Sequence, residues 1–397
     1  MGYDAIVVGG GPAGATAAQG LACGGARVLL LERRRLPRYK ACGGCLSRRV
    51  TGLLGFDLGT LIEERITGLT FTYRGHDPIE AVFSEPMAYM VWRDRFDQAL
   101  CLKAVEAGAE LRDGRTVRAV RQAGNQVEVE HDRGKETASF LIGADGATGV
   151  VARDLFAGLA KAAAVGLDGE VLLSQAAEPT LKGRVVIELG RARGGYCWIF
   201  PKGHVASVGA MVGRAAAKSA SQCLAAFLGA GGLGDRQPER THGALIPLHG
   251  GDAGALHRGR ALLVGDAAAL VDPFLGEGIY YAIQSGQIAA RAILEAAGNG
   301  GDLGGYQASI STEIAPELEA AGWLSRLAHR LPWLWFKALK RRPGAIDFYR
   351  KILMGEERYR SFADRVGAEI PRPLALLLRS RRDRGAISRG RWDQKRQ

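Results

Sequence analysis

The chain has 397 residues, of which 47% are hydrophobic and 24% charged, so it can fold into two or three packed lobes of ordinary globular composition. Its six cysteines are scattered, which excludes a disulfide scaffold, and no apolar run reaches the ~18 residues that a membrane-spanning helix needs. A strand pattern that begins at Tyr3 leaves no room for a secretory signal. We therefore expect a cytoplasmic protein, either soluble or peripheral on the inner face of the membrane.

The net charge of +12 is concentrated near the end of the chain. Residues 321–397 hold 20 Lys and Arg against 7 Asp and Glu, whereas the remainder is close to neutral. A basic region of this kind favours contact with anionic lipid, an acidic redox partner or nucleic acid. Since no nucleic-acid-binding motif accompanies it, we expect no nucleic-acid partner. The alternative for the last dozen residues is a solvated tail.

The first predicted elements are a strand over residues 3–8, a glycine-rich turn and an Ala-rich helix over residues 13–22. The turn matches G-x-G-x-x-G in the strand–turn–helix context that dinucleotide binding requires. A second strand, residues 27–31, ends in Glu32, which can accept hydrogen bonds from an adenosine ribose. The residues predicted to contact a bound dinucleotide here are Gly9, Gly11, Ala13, Gly14 and Glu32.

Two later strands, residues 140–142 and 260–264, also end in turns that contain Gly and Asp, and the second is followed by a Gly-Glu-Gly turn and a helix over residues 279–297. Three such signals at long separation favour FAD over NAD as the cofactor. The helix N-terminus can stabilise the negative charge of a reduced flavin. The further residues assigned to the cofactor are Val117, Asp145, Asp266, Gly276, Gly278 and Ile279.

Five stretches together resemble the geranylgeranyl reductase family, within the p-hydroxybenzoate-hydroxylase-like flavoproteins. They are the glycine fingerprint, the Tyr-x-x-Cys-Gly-Gly of residues 39–44, the Arg-x-x-Phe-Asp of residues 93–97, the Tyr-x-Trp-x-Phe-Pro of residues 196–201, and the segment from Gly265-Asp266 to Gly276-Glu277-Gly278. The resemblance spans roughly residues 1–300 and fades into a helical region beyond.

This resemblance implies an α/β fold: a Rossmann-type FAD-binding domain, an inserted α+β substrate domain with an antiparallel sheet, and a C-terminal helical region. The expected FAD-binding domain comprises residues 1–70, 91–155 and 258–300, the substrate domain residues 71–90 and 156–257, and the basic helical region residues 301–397. The resemblance also implies reduction of isolated C=C bonds in the polyprenyl chain of a lipid, quinone or pigment precursor. Because the sequence offers no second nucleotide-binding unit, the reductant is NAD(P)H that binds transiently, or a ferredoxin.

The resemblance further implies that Cys42 and Gly43 lie beside the flavin and that Arg93 contacts the cofactor. Cys42 is the candidate catalytic residue, either as a proton donor or as part of the pocket wall. Cys45 departs from the family pattern and creates a C-x-x-C, for which a functional dithiol is the hypothesis to test. No metal site is expected, since neither the cysteines nor the seven histidines show ligand spacing.

The substrate pocket is assigned to Tyr196, Trp198, Phe200 and Pro201. The three aromatic residues alternate along a predicted strand and so share one face, where an aromatic wall would suit an apolar chain. The alternative is ordinary core packing.

Near the end of the chain, aromatic residues stand among cations, a pattern typical of an element in a lipid headgroup layer or, alternatively, of a helical cap that packs its rings inward. The aromatic residues concerned are Trp323, Trp333, Trp335 and Phe336.

Two other functions share this fold. A flavin monooxygenase or halogenase is the nearer one, although the tryptophan halogenases carry Trp-x-Trp-x-Ile-Pro where this chain has residues 196–201. A quinone-linked electron-transfer dehydrogenase would need four cysteines for an iron–sulfur cluster near the C-terminus, and only Cys223 follows Cys197.

Overall fold

The computed structural model describes residues 2–156, 163–175, 177–230, 233, 236–251, 254–342 and 344–369. The predicted tail, the last dozen residues, lies outside these ranges. In chain order the strands are β1 (Tyr3–Val8), β2 (Val28–Leu31), β3 (Cys45–Ser47), β4 (Glu64–Ile66), β5 (Gly68–Tyr73), β6 (His76–Val82), β7 (Ala88–Met90), β8 (Glu110–Arg112), β9 (Val117–Ala123), β10 (Gln126–His131), β11 (Gly134–Gly143), β12 (Ala164–Leu172), β13 (Arg184–Leu189), β14 (Tyr196–Lys202), β15 (Val205–Gly213), β16 (Thr241–Ile246), β17 (His257–Arg258) and β18 (Ala261–Leu263).

The helices are α1 (Pro12–Cys23), α2 (Arg93–Glu106), α3 (Val150–Leu155), α4 (Ala177–Leu181), α5 (Ala220–Ala230), α6 (Ile279–Gly298), α7 (Gly304–Ser309), α8 (Ala315–Arg330), α9 (Pro332–Arg341), α10 (Gly344–Met354) and α11 (Tyr359–Glu369). The predicted helix over residues 13–22 extends one residue further at each end, and the one over residues 279–297 ends at Gly298. None of the helices in the described ranges combines the length and apolar character that spanning a bilayer requires.

The first sheet has the order β17-β18-β11-β1-β2-β8, and its central strands are parallel because helical crossovers connect them. Val8 at the end of β1 pairs with Leu31 of β2 and with Gly143 of β11. The carboxyl ends of these strands therefore meet at one edge, where α/β sheets place their ligands. β2, the end of β11 and β1 beyond the exposed Asp4 are buried, continuous apolar runs, as expected for strands covered on both faces.

The second sheet has the order β16-β12-β15-β14-β13-β5-β6 and is antiparallel except where β13 pairs with β5. A three-stranded sheet, β3-β7-β4, is formed by segments that flank the β5–β6 hairpin in sequence. Helix α5 packs on β12 and β15 of the second sheet through Leu224, Phe227 and Leu228. The fold is thus an α/β architecture with a Rossmann-type, largely parallel sheet and a second, mostly antiparallel sheet, as predicted.

The domain boundaries stay a prediction, and one of them cuts a strand. The strands of the second sheet lie within residues 68–82 and 164–246, whereas the boundary between residues 70 and 71 falls inside β5.

The described part of the C-terminal region is helical and packs on the second sheet. At this interface the tilted ring of Tyr349 packs between Phe274 and Phe71, with ring centroids 5.5 Å and 4.8 Å apart. Trp335 and Phe336 of α9 are buried in the same core, as a helical cap would have them. Trp333 is 53% exposed, so α9 buries only one of its two aromatic faces.

Candidate active site

The glycine fingerprint forms a tight turn between β1 and α1. An added Cβ at Gly14 would lie 1.9 Å from the carbonyl oxygen of Gly9, so only glycine lets the helix approach the strand this closely. Gly9 itself has a φ of 111°, which favours glycine. By contrast, a Cβ on Gly11 would meet only the Nη2 of Arg38, 3.9 Å away. The space in front of α1 is therefore open, where helix N–H groups can receive phosphate oxygens.

Glu32 lies at the end of β2 and is buried against this turn. Its Oε2 accepts a hydrogen bond from the Gly10 N–H (2.8 Å) and its Oε1 one from the Arg34 N–H (3.0 Å). Arg38 forms an ion pair with the same carboxylate at 3.3 Å. These contacts fix the carboxylate beside the fingerprint, and the predicted contact with a ribose stays a prediction.

A second glycine turn meets the first one. Gly265 follows β18 with a φ of 54°, and an added Cβ there would lie 3.0 Å from the Cβ of Ala13. The next residue, Asp266, is half-buried, and its Oδ1 lies 3.6 Å from the position of a Cβ on Gly278. Gly278 precedes Ile279, the first residue of α6. The structure thus brings Ala13, Asp266 and the start of α6 together, although they are far apart in sequence.

The Gly-Glu-Gly turn connects this region to the aromatic strand β14. Gly276 has a φ of 70°, and its added Cβ would lie 3.1 Å from the hydroxyl oxygen of Tyr196. That hydroxyl donates a hydrogen bond to the carbonyl oxygen of Leu275. The hydroxyl group of Tyr196 therefore fixes the ring against the turn that precedes α6.

The three aromatic residues of β14 share one face, as predicted. The ring of Trp198 lies 6.1 Å from that of Tyr196 and 5.9 Å from that of Phe200, and it is stacked on the latter. Trp198 is buried over Gly209 of β15, where an added Cβ would lie 2.1 Å from the ring. It therefore packs as a core residue, whereas Tyr196 and Phe200 keep part of their surface free.

The Cys42-Gly43-Gly44 loop lies against the far end of this row. A Cβ on Gly43 would lie 2.6 Å from Cδ2 of Phe200 and 3.3 Å from Nε1 of Trp198. The thiol of Cys42 accepts a hydrogen bond from the Gly44 N–H at 3.4 Å. Two motifs separated by about 150 residues thus form one surface of backbone and rings.

A buried carboxylate, which the sequence did not single out, holds this loop. Asp168 of β12 accepts hydrogen bonds from the Cys42 N–H (3.3 Å) and from the Ser207 hydroxyl (2.7 Å). Burial raises the pKa of Asp168 to about 6, and the hydrogen bond from Ser207 opposes that shift. Lys202 is also buried and lies near Asp168 and Cys42. Its ammonium nitrogen lies 4.0 Å from the centre of the Trp92 ring.

Arg93 begins α2 and is almost fully buried. Its Nε and Nη2 donate to the two carboxylate oxygens of Asp97 at 2.8 and 2.9 Å, and its guanidinium also reaches the Cys42 thiol. Asp97 forms a second ion pair, with Arg38, at 2.9 Å. The Arg-x-x-Phe-Asp motif therefore links the Cys42 loop to the fingerprint, and its contact with a cofactor stays a prediction.

Three partly exposed side chains, Tyr196, Cys45 and His329, lie near one end of this row. Burial raises the pKa of Tyr196, raises that of Cys45 to about 12 and lowers that of His329 to about 4. The ring of His329 lies 6.4 Å from that of Tyr196. Other half-buried side chains beside this core are Phe200, Leu275 and Trp323.

Three assigned residues stand apart from this row. The carboxylate of Asp145 accepts a hydrogen bond from the Val151 N–H at 3.0 Å and so caps α3. Val117 is buried at the start of β9, two residues after Arg115, whose N–H donates to the carbonyl oxygen of Glu32. Pro201 follows Phe200 on β14 and by strand alternation points to the opposite face, so its place in the pocket remains a prediction.

Two charged networks behind the Gly-Glu-Gly turn also escaped sequence reasoning. The carboxylate of Glu277 accepts hydrogen bonds from Ser47 and Arg49. Asp272 is fully buried and accepts a hydrogen bond from the Tyr359 hydroxyl at 2.6 Å. These contacts attach β3 and α11 to the turn that leads into α6.

The residues of the two glycine turns fit FAD. Open space in front of α1 at Gly11, an acid fixed at the end of β2 and a second turn at Asp266 suit a pyrophosphate, a ribose and a ribityl chain. The start of α6 would place N–H donors near a flavin ring. When bound, FAD would supply the group that accepts and donates a hydride. The contacts described above are all made between the protein's own residues.

Comparison with known proteins agrees with this architecture. A family described as "FAD binding domain" matches residues 2–302. The chain is 34% identical to a geranylgeranyl diphosphate reductase of Rhodobacter capsulatus over 74% of this chain and 75% of that protein. It is 30% identical to a menaquinone reductase of Mycolicibacterium smegmatis over 72% of this chain and 75% of that protein.

A solved structure gives the same result in three dimensions. A geranylgeranyl bacteriochlorophyll reductase-like protein from Thermoplasma acidophilum superimposes with a TM-score of 0.74 at 25% identity, over 83% of this chain and 88% of that one. The prediction of FAD as cofactor is confirmed. The chain belongs to the FAD-binding-domain family and, within it, to the geranylgeranyl reductases, and it is an FAD-dependent oxidoreductase.

Proposed function

We propose that this enzyme saturates isolated C=C bonds in a polyprenyl chain attached to a lipid, a quinone or a pigment precursor. The observation that supports this most is the row of rings on β14, which joins the Cys42 loop at one end to the Gly276 turn at the other. Tyr196 and Phe200 each keep part of their surface exposed along this row. The names of the relatives point to the same substrate class.

Reduction of an unactivated alkene requires a hydride at one carbon and a proton at the other. Because no carbonyl group polarises the bond, the protein must mainly position the alkene and exclude water. The rings of β14 can hold an apolar chain, and the hydrogen bond from Tyr196 to Leu275 keeps one of them in place. Cys42, held by Asp168 beside Arg93, is our candidate for the proton donor or for the pocket wall at the reacting carbon.

The remaining parts of the proposal concern partners. The reductant that regenerates the reduced cofactor is NAD(P)H or a ferredoxin. The enzyme acts in the cytoplasm on a substrate that resides in a membrane, so we also propose a peripheral contact with the membrane surface. Residues 39–44 and 196–201 would then receive a chain that leaves the bilayer.

The test is anaerobic. The bound flavin is reduced chemically, a geranylgeranyl lipid or a prenyl quinone is added, and reoxidation is followed by absorbance while the product is weighed by mass spectrometry. We expect reoxidation together with a gain of two hydrogen atoms for each bond reduced. Reoxidation only after O2 is admitted in a second step, with oxygen or halogen inserted into a substrate, would instead support the monooxygenase or halogenase of the same fold.

Two variants make the test specific to the site. Phe200→Ala should lower turnover and leave FAD bound, whereas Val82→Ala, at a side chain that is 68% exposed on β6, should change neither. Cys42→Ala distinguishes the two roles of that thiol: a proton donor affects kcat and the solvent isotope effect, while a wall residue affects mainly KM.

A further inference from the structure

Helix α9 has one buried face and one exposed face of unusual composition. Trp335, Phe336 and Leu339 are buried against the second sheet. On the outward side, Trp333 is 53%, Leu334 40% and Leu331 38% exposed, and these three residues adjoin one another at the corner between α8 and α9. Large apolar side chains exposed together in this way indicate a surface that is covered by a partner.

Cations surround these apolar side chains. Lys337, Lys340 and Arg341 are exposed on the same helix, one and two turns beyond Trp333. The ammonium of Lys337 lies 4.1 Å from the centre of the Trp333 ring. A groove of about 390 Å³ runs between this face and the β5–β6 hairpin, which adds the cation Arg74 and the single acid Asp77.

The position of this surface relative to the aromatic row of β14 is informative. His329, whose ring lies 6.4 Å from that of Tyr196, precedes Leu331 by two residues. Since two residues span at most ~7 Å, the exposed corner lies close to His329 and therefore to the Tyr196 end of the β14 row. An apolar chain held at this surface would thus be near Tyr196.

We propose that the exposed face of α9, formed by Leu331, Trp333, Leu334, Lys337 and Arg341, docks the enzyme on an anionic lipid bilayer. The apolar side chains enter the headgroup layer and the cations contact lipid phosphates, as in other interfacial helices. An acidic protein partner would pair with the cations but would leave the cluster of Leu331, Trp333 and Leu334 without an apolar counterpart. The identification of the surface deepens the proposed function, because it places the enzyme where a prenyl lipid resides.

The experiment uses the full chain with bound FAD and vesicles without substrate. Co-sedimentation is measured on vesicles of phosphatidylcholine with phosphatidylglycerol and on vesicles of phosphatidylcholine alone. We expect at least tenfold stronger binding to the anionic vesicles, weakened by salt, and at least a tenfold loss in Trp333→Ala/Leu334→Ala and in Lys337→Gln/Arg341→Gln. Two control variants at exposed positions elsewhere, Leu102→Ala on α2 and Arg121→Gln/Lys135→Gln on β9 and β11, should bind like the wild type.

Two outcomes would overturn the docking proposal. One is equal binding to both kinds of vesicle, which would leave an acidic protein as the partner of this surface. The other is anionic binding that the α9 variants retain. Turnover of a detergent-solubilised substrate distinguishes failure of docking from failure of the proposed function. The docking variants should keep this turnover. If no substrate is turned over while vesicle binding is lost only in the α9 variants, the proposed function is wrong and the docking surface is confirmed.

Discussion

The cofactor side and the substrate side of this site are specified by different kinds of residue. Beside α1 and α6, the structure depends on glycines whose missing Cβ atoms let backbone segments meet, as at Gly14 and Gly265. Beside β14 it depends on side chains from distant segments, such as Asp168 holding Cys42 and Gly43 receiving the ring of Phe200. A backbone turn is encoded locally, whereas a long-range contact depends on the whole fold. Substitutions on the cofactor side should therefore affect folding and cofactor binding, whereas substitutions on the substrate side should affect turnover.

The largest expected effect separates two glycines of the same turn. Gly14→Ala would place a Cβ 1.9 Å from the Gly9 oxygen, so we expect destabilisation of about 3 kcal/mol or more and little bound FAD. Gly11→Ala meets only the end of Arg38 at 3.9 Å, so the fold should persist while FAD binds about tenfold more weakly. Thermal melting of the apoprotein and the ratio of flavin to protein absorbance measure both effects. Equal melting temperatures for the two variants would contradict this assignment.

The second expected effect moves the test to the substrate side. Gly43→Ala would push the loop away from Phe200, because the added Cβ would lie only 2.6 Å from Cδ2 of that ring. A displacement of about 1 Å at a reacting centre lowers kcat by ~10²-fold, so we expect a loss of that order while FAD remains bound. Gly55→Ala is the matched control, since nothing lies within 4 Å of its added Cβ. Loss of the flavin in Gly43→Ala would show that the two sides are not separable.

The sequence predicted the cofactor side better than the substrate side, because backbone turns are encoded locally and long-range contacts are not. The strand–turn–helix from Tyr3, the turn at Asp266 and the helix that begins at Ile279 could be predicted, since glycine spacing and apolar runs are local signals. The shared face of the β14 rings followed from strand alternation. Asp168 could not be found, because one acid in a strand carries no signal until the fold brings it to Cys42.

Arg38 and His329 illustrate the same limit. Arg38 is one of several cations between residues 33 and 40, and only the fold shows that it contacts Glu32 and Asp97. His329 became part of the site because α8 ends beside Tyr196. In α9, Trp335 packs inward, as a helical cap would have it, and Trp333 is exposed, whereas the lipid contact stays a prediction.

A smaller effect is expected at Asp168, and it depends on pH. Because burial raises the pKa of this carboxyl from 3.8 to about 6, it loses its charge as pH falls through about 6 and holds the Cys42 N–H less strongly. We expect kcat/KM to fall below pH 6, and Asp168→Asn to lack this inflection and to be about tenfold less active at neutral pH, equivalent to ~1.4 kcal/mol. The pH profiles of wild type and variant measure this, and an unchanged inflection in the variant would assign it to another group.

The same pKa shift has a consequence for stability with a defined sign. Between pH 3.8 and about 6 the native state retains a proton that the unfolded chain releases, so this carboxyl lowers the free energy of unfolding as pH rises through that interval. Asp168→Asn should therefore flatten the dependence of the melting temperature on pH there. Asp272, whose pKa burial also raises to about 6, remains in the variant and leaves part of the slope.

The smallest effect is expected at Cys45, and it decides whether Cys42 and Cys45 act as a dithiol. Burial raises the pKa of the Cys45 thiol to about 12, so it is protonated at neutral pH and is a poor nucleophile for disulfide exchange. We expect Cys45→Ala to keep kcat within about twofold, since a protonated cysteine otherwise behaves as a small apolar residue. Anaerobic turnover with a reduced flavin measures this, with Cys23→Ala, at an exposed cysteine, as the control. A loss of more than about tenfold in Cys45→Ala alone would show that electrons pass through the pair, and the substrate side would then carry redox chemistry of its own.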